Sequence, residues 1–312
     1  MKTITIILVI IAVTIVVAAT FTSMYYGKII WNSSKTKNEL TLPAGAAPQW
    51  QIEVTGDFNQ EESWTLTQMS KMPLTEVIIK SENATYIGVS LIEFCSQTGI
   101  LWDAGPLNVI NANGETATLS VFQAWNSTYY PYSYSYNVIV LAFVRNGQWI
   151  TNQNGGPVKL VAPYFSSSYQ IGQVKEIQSE LWTVSIVGDV ANPLVLTGNN
   201  VTDFQTQTLR GAFNPGDAPN VTADWTGVPI LNLLQTAKAS SQATQISVVG
   251  IDGYTQNFTL QQVRDGEMML GLQENGQYLT TSQGGAFRIF APTPDYKWGQ
   301  YWVKWVSDIY VS

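Results

Sequence analysis

Histidine is absent from this chain of 312 residues, and cysteine occurs once. Without histidine there is no Ser-His or Cys-His dyad and none of the imidazole ligands that hold most catalytic metals. A single cysteine excludes any disulfide within the chain and every multi-cysteine metal site. Charge is sparse as well, with 12% of residues charged and a net balance of −7. Nucleic-acid binding needs a clustered basic surface that neutralises phosphates, so that class of partner is excluded. Polarity comes instead from Ser, Thr, Asn and Gln, which solvate a surface without charging it.

One long apolar run is present, from Ile4 to Phe21, built of apolar residues and Thr with no charge. As a helix it would measure about 27 Å at ~1.5 Å per residue, close to the thickness of a bilayer core. Lys2 precedes it, and Met24, Tyr25 and Tyr26 follow as an aromatic interface belt. Two readings remain open: a signal peptide cut near Val17-Ala18-Ala19, or an uncleaved single-span anchor, which the length favours. Either would place the bulk of the chain outside the cytoplasm, and the anchor would hold it at the cell membrane. Six Asn-x-Ser/Thr sequons agree, at Asn32, Asn83, Asn126, Asn200, Asn220 and Asn257. About four are expected from such a composition by chance, so they are accessory support.

The rest of the chain carries one module twice. Trp50, Gly56 and Asp57 recur as Trp182, Gly188 and Asp189, a shift of 132. Gly88-Val89 and Asn113-Gly114 recur as Gly227-Val228 and Asp252-Gly253, a shift of 139. Asn146-Gly147, Gly155-Gly156, Pro163 and Val174-Lys175 recur as Asn275-Gly276, Gly284-Gly285, Pro292 and Val303-Lys304, a shift of 129. Offsets that hold within blocks and change between them mark a duplication followed by loop insertions. The spacing suits a whole domain and is too long for a solenoid repeat. The division expected is an anchor or signal over 1–28, a stalk over 29–48, copy 1 over 49–180 and copy 2 over 181–312. Insertions are expected at the run Tyr129–Tyr136 in copy 1 and at Phe213–Pro219 in copy 2, the latter rich in turn residues. The tyrosine run is either a binding face or a packed loop.

Strands dominate each copy. Trp182–Gly188 alternates with period two and ends at a Gly-Asp turn. Gly227–Ala239 has helical spacing, with Val228, Leu231 and Leu234 on one face and Pro229 in the first turn. Gln245–Gly250 reads as a buried strand entering a two-residue hairpin at Asp252-Gly253, and Asn275-Gly276 as a second hairpin between Met268–Leu272 and Gln277–Leu279. Phe287–Phe290 and Tyr301–Val311 complete the strands.

Copy 2 resembles the molybdopterin-binding domain of the sulfite oxidase superfamily. The residues that carry this are Trp182–Val190, Asp224–Leu234, Gly250-Ile-Asp-Gly-Tyr254, Glu274-Asn-Gly276, Gly284-Gly-Ala-Phe-Arg288 through Pro292, and Val303-Lys-Trp-Val306. Copy 1 keeps the skeleton more loosely in Tyr86–Val89, Gly155–Pro163 and Val174-Lys175. The resemblance implies a mostly antiparallel, strand-rich α+β fold; with the repeat and the apolar run, the chain reads as two tandem molybdopterin-binding-like domains behind an N-terminal transmembrane helix. The resemblance also implies a molybdenum-binding thiolate just before the Trp-x-Gly-Val block, with basic residues on the pterin phosphate. Copy 2 has no cysteine there; the stretch reads Thr206-Gln-Thr-Leu-Arg-Gly-Ala-Phe213, and copy 1 has none before Tyr86.

Cys95, shifted by 139, falls on Leu234, so it reads as a small hydrophobe in a core helix rather than a ligand. Arg288 and its counterpart Lys159 are the basic residues the resemblance would place on phosphate; an edge-strand charge or an inter-domain salt bridge is the plainer alternative. Asp252 as a catalytic base is weakened by its counterpart Asn113, since both suit a turn and one alone can take a proton. Lys304 and Lys175 read as surface lysines anchored beside apolar strands. No catalytic or metal-binding residue is expected, and no cofactor. The function expected is a membrane-tethered, non-catalytic tandem module that binds a protein partner or an anionic small molecule. One alternative is a molybdopterin-dependent oxidoreductase whose cofactor lacks thiolate ligation, and another is a structural component of the cell envelope.

Overall fold

The computed structural model describes residues 40–312, apart from 60, 121–122, 124–137, 164, 166–168, 217–218 and 281–282. The expected anchor, most of the stalk, Asn32, Asn126 and the tyrosine run therefore lie outside the described residues. Among those described, no helix is long and apolar enough to cross a membrane.

Among the described residues, copy 1 contributes ten strands: β1 (Gln51–Gly56), β2 (Glu62–Thr65), β3 (Leu74–Ile79), β4 (Ala84–Ser90), β5 (Ala104–Asn111), β6 (Thr116–Leu119), β7 (Val140–Arg145), β8 (Gln148–Trp149), β9 (Lys159–Val161) and β10 (Val174–Leu181). Copy 2 repeats them as β11 (Val184–Gly188), β12 (Leu194–Leu196), β13 (Gln207–Phe213), β14 (Val221–Pro229), β15 (Gln245–Gly250), β16 (Thr255–Thr259), β17 (Met269–Glu274), β18 (Gln277–Tyr278), β19 (Arg288–Phe290) and β20 (Val306–Val311). Each copy folds into two sheets. One runs β2-β1-β10-β5-β6 in copy 1 and β12-β11-β20-β15-β16 in copy 2. The other runs β3-β4-β7-β8 and β13-β14-β17-β18, with β9 on β7 and β19 on β17. Pairing is antiparallel except where the first strand of a copy meets its last, β1 with β10 and β11 with β20. The strand order is thus the same twice, as the offsets require.

The repeated tryptophan explains part of that sameness. Trp50 donates its indole N–H to the carbonyl of Val174 at 2.7 Å, and Trp182 donates to that of Val306 at 2.8 Å. Each ring ties the entry of its copy to the final strand, closing the domain end to end. Period-two alternation then sets the faces. Val184 and Ile186 point inward from β11, and Val306, Ile309 and Val311 from β20. One apolar cluster runs through both copies, from Ile52 to Val311, and a smaller one around Tyr86 and Val140 covers the other face of β3, β4 and β7.

Three local expectations need correction. Gly227–Pro229 belong to β14, paired with Gly271, Leu270 and Met269 of β17, and the helix spans Ile230–Thr236. Its buried face is Ile230, Leu233 and Leu234, while Leu231 points outward. Ladder pairing overrode the helical spacing over those first residues. At Asp252-Gly253 the backbone of Gly253 alone has positive φ, and the amide of Gly250 bonds to the carbonyl of Tyr254 at 2.9 Å, so the loop is longer than two residues. At Asn275-Gly276 both residues are left-handed, φ 51° and 76°, which is the geometry a two-residue hairpin needs. Finally, Gly299–Tyr301 forms a 3₁₀ turn and the last strand starts at Val306.

Candidate functional site

The stretch where the resemblance places a metal thiolate is β13, an edge strand whose every residue pairs with β14. Arg210 and Asp224 face each other across that pair at 2.9 Å on its exposed side. Gly211 lies beneath Pro292: a Cβ built on it would run into the carbonyl oxygen and Cβ of that proline. A side chain directed from this position has no space, so the strand offers neither a thiol nor room for one at Gly211.

Cys95 sits elsewhere, on the helix Leu91–Gln97 that Ser90 caps. It is wholly buried in the main core, and burial pushes its thiol up to about 12. Leu234, its counterpart, is buried on the matching helix of copy 2. Among the described residues no group of three or more His, Cys, Asp or Glu side chains could hold a metal ion. The residues present do not fit a molybdenum cofactor held by a protein thiolate.

Lys159 and Arg288 start β9 and β19, equivalent strands, yet their surroundings differ. Around Lys159 the charge is met from within copy 1. Its Nζ lies 3.7 Å from Glu82 Oε1 and donates to the Tyr86 hydroxyl at 3.3 Å. Glu82 Oε2 accepts from Tyr86 at 2.5 Å and lies 3.7 Å from Arg145 Nη2. Both cations also sit over the Tyr86 ring, at 5.1 Å and 5.8 Å. Burial, and then Glu82, pushes the Tyr86 hydroxyl up to about 12. A carboxylate of the chain itself thus meets the charge of Lys159.

Arg288 is 4% exposed and sits among rings. Its guanidinium carbon lies 4.4 Å from the centre of the Phe213 ring and 5.6 Å from that of Trp302, and Nη1 donates to the carbonyl of Gln283 at 2.8 Å. Phe213 is the last residue of β13, so the strand that leads into the expected insertion of copy 2 carries the ring that covers this arginine. Glu82, Tyr86 and Arg145 were not legible as partners of Lys159, nor Phe213 and Trp302 of Arg288, because they come from distant points of the chain.

The remaining candidates have structural roles in view. Asp252 Oδ1 accepts the amide of Tyr254 at 3.0 Å within its own turn. Lys175 lies 4.6 Å above the Trp50 ring and Lys304 lies 5.5 Å above that of Trp305. Of the sequons, Asn83, Asn220 and Asn257 are exposed. The amide of Asn200 is engaged at both ends, accepting from Thr197 N at 2.8 Å and donating to the Val195 carbonyl at 3.0 Å.

Among the described residues, clefts open on the surface of each copy. One of about 500 Å³ is lined by Gln205, Gln207, Pro229, Asn232, Arg264 and Met268. A second of about 470 Å³ is lined by Gln49, Trp50, Thr65, Thr67 and Lys175. Neither Arg288 nor Lys159 lines either of them.

The sulfane dehydrogenase SoxCD from Paracoccus pantotrophus is a solved structure similar to this chain, with 13% identity, 84% of this chain and 77% of that chain covered, and a TM-score of 0.35. No curated protein matches the chain. The model of the oxidoreductase molybdopterin binding domain family matches twice, over residues 39–180 and 171–312. The chain therefore belongs to the oxidoreductase molybdopterin binding domain family, and it carries that domain in two tandem, strand-rich α+β copies.

Proposed function

We propose that this protein is a membrane-tethered, extracytoplasmic tandem of molybdopterin-binding-like domains that binds a protein partner or an anionic ligand and runs no molybdenum redox chemistry. The observation that carries this reading is the closed strand at Gly211, packed under Pro292. The chain's one thiol lies in the core of the other copy. A soft thiolate fixes and tunes molybdenum in this family, and no side chain of β13 replaces it in kind. The internal use of Lys159 by Glu82, and of Arg288 by Phe213 and Trp302, supports the same reading. The ten strands of each copy keep their order for a reason independent of any cofactor: they bury a shared core.

For the ligand, the cleft beside Arg264 offers that cation, the carboxylate of Glu267 and the amides of Gln205, Gln207 and Asn232, a polar lining in which Arg264 is the group to meet an anion. Tethering rests on the apolar run Ile4–Phe21. The deciding experiment is elemental analysis for molybdenum and tungsten on protein purified from its own membrane. Absence of both supports the proposal. Stoichiometric metal with molybdopterin, together with oxygen-atom transfer activity, would overturn it in favour of an oxidoreductase with non-thiolate ligation.

A further inference from the structure

Asp57 and Asp103 meet at the seam where copy 2 closes on copy 1. Asp57 follows Gly56 at the end of β1; its amide bonds to the carbonyl of Ser179 at 3.1 Å, and its carbonyl accepts from Leu101 at 3.1 Å. That second bond brings the loop carrying Asp103 against it. Asp103 is 5% exposed, and its lid comes from the other copy. Its carbonyl accepts the amide of Trp182 at 2.8 Å, and its carboxyl fills the space a Cβ of Gly198 would need. Position 198 must be glycine for the two copies to close on that carboxyl.

Copy 2 repeats the frame without the pair. The amide of Asp189 bonds to the Val311 carbonyl at 2.8 Å, and its carbonyl accepts from Ser240 at 2.8 Å, matching Asp57 bond for bond. Asp189 is exposed, however, and the counterpart of Asp103 is the exposed Gln242. The carboxyl pair is therefore a feature of the seam rather than of the fold.

Among the described residues, no amide, hydroxyl or cation donates to the buried Asp57 Oδ2. The group within hydrogen-bonding reach is the carboxyl of Asp103. Two ionised carboxylates offer no donor, so such a contact is satisfied when one of them carries a proton. We propose that Asp57 and Asp103 share one proton that latches copy 2 onto copy 1, and that its loss as pH rises loosens the seam.

Burial, then the charge of Asp103, then the hydrogen bond to it push Asp57 up to about 6, and burial pushes Asp103 up as well. The elements closing on the pair bring Ser179, Leu101, Trp182 and Gly198, none of which titrates. The nearest charge in sequence to these, Glu180, is exposed, and its Oε1 accepts from Asn108 at 2.7 Å. A carboxyl raised by folding stabilises the closed seam fully below its unfolded pKa, near 4, and loses that contribution as pH rises through about 6. Across that window the opening equilibrium should rise about tenfold per pH unit.

The test is hydrogen exchange of the full chain, read on peptides containing Trp182 and Gly198 and corrected for intrinsic rates. Wild type should show protection falling from pH 4.5 to pH 7. Asp57→Asn, whose amide can donate to Asp103 at every pH, should hold protection flat. An equal pH dependence in wild type and Asp57→Asn would overturn the latch. Should the variant not fold, carboxyl-carbon NMR of the wild type decides: a titration of Asp57 near 6 supports the shared proton, and an ordinary value near 4 refutes it.

Discussion

The indole of Trp102 lies flat on the ring of Tyr278, with centroids 4.1 Å apart and planes 11° from parallel. One ring comes from each copy, and Phe287 of copy 2 meets the same indole edge-on at 6.0 Å. The two copies thus share a packed boundary. Trp102→Ala should weaken it by roughly 1–3 kcal/mol, combining lost apolar burial with lost ring stacking. Differential scanning calorimetry checks this: a single transition should split or broaden, and an unchanged profile would count against a shared boundary.

Cys95→Ala should cost about 1–2 kcal/mol through lost core packing, read as a shift in the urea midpoint. With its thiol pushed up to about 12 by burial, Cys95 should resist alkylation at pH 8 until the protein is unfolded. Rapid labelling of the native protein would place the thiol at the surface instead.

Gly211→Ala should destabilise the chain by roughly 1–3 kcal/mol, because the added methyl has to displace Pro292. A neutral outcome in a denaturant melt would mean that β13 can move, and would reopen that strand as a place for a ligand.

Glu82→Gln should cost about 1 kcal/mol, since it leaves Lys159 and Arg145 without their shared carboxylate in a half-buried setting. Burial acts first on Tyr86, so its hydroxyl should fall part of the way from about 12 when Glu82 is neutralised. NMR titration of the Tyr86 ring follows this directly; an unmoved value would separate Glu82 from that hydroxyl.

Protease treatment of intact cells should release a soluble fragment that lacks about the first 30 residues, if the apolar run anchors the chain with its N-terminus inside. Full protection of copy 2 would defeat the proposed topology.

The duplication was legible because the positions that close a domain tolerate few residue types. Trp50 and Trp182 must reach a carbonyl on the last strand, and the Asn146-Gly147 and Asn275-Gly276 pairs must adopt left-handed backbone in a two-residue turn. Alternation placed Gln245–Gly250 as a strand, and the offset between Cys95 and Leu234 placed both on the apolar face of a helix. These signals are local, or repeat at a fixed distance, so composition and spacing preserve them.

Non-local pairing was not written in that way. Helical spacing over Gly227–Pro229 gave way to hydrogen bonds with β17, a partner some forty residues further along the chain. The same holds for charge. Lys159 and Arg288 look equivalent in sequence, yet one meets Glu82 and the other meets Phe213 and Trp302, because different loops fold over them. Asp57 and Asp189 share a backbone frame, yet Asp57 has a buried carboxyl beside it, Asp103, on which Gly198 and Trp182 of the other copy close, while the counterpart of Asp103 is an exposed glutamine. The sequence by itself determined the repeated domain, its family likeness and the lack of a thiolate in β13. Tertiary structure alone decided which charges are neutralised, which carboxyls are buried and where the two copies meet, since the solvation of a group depends on every segment packed around it.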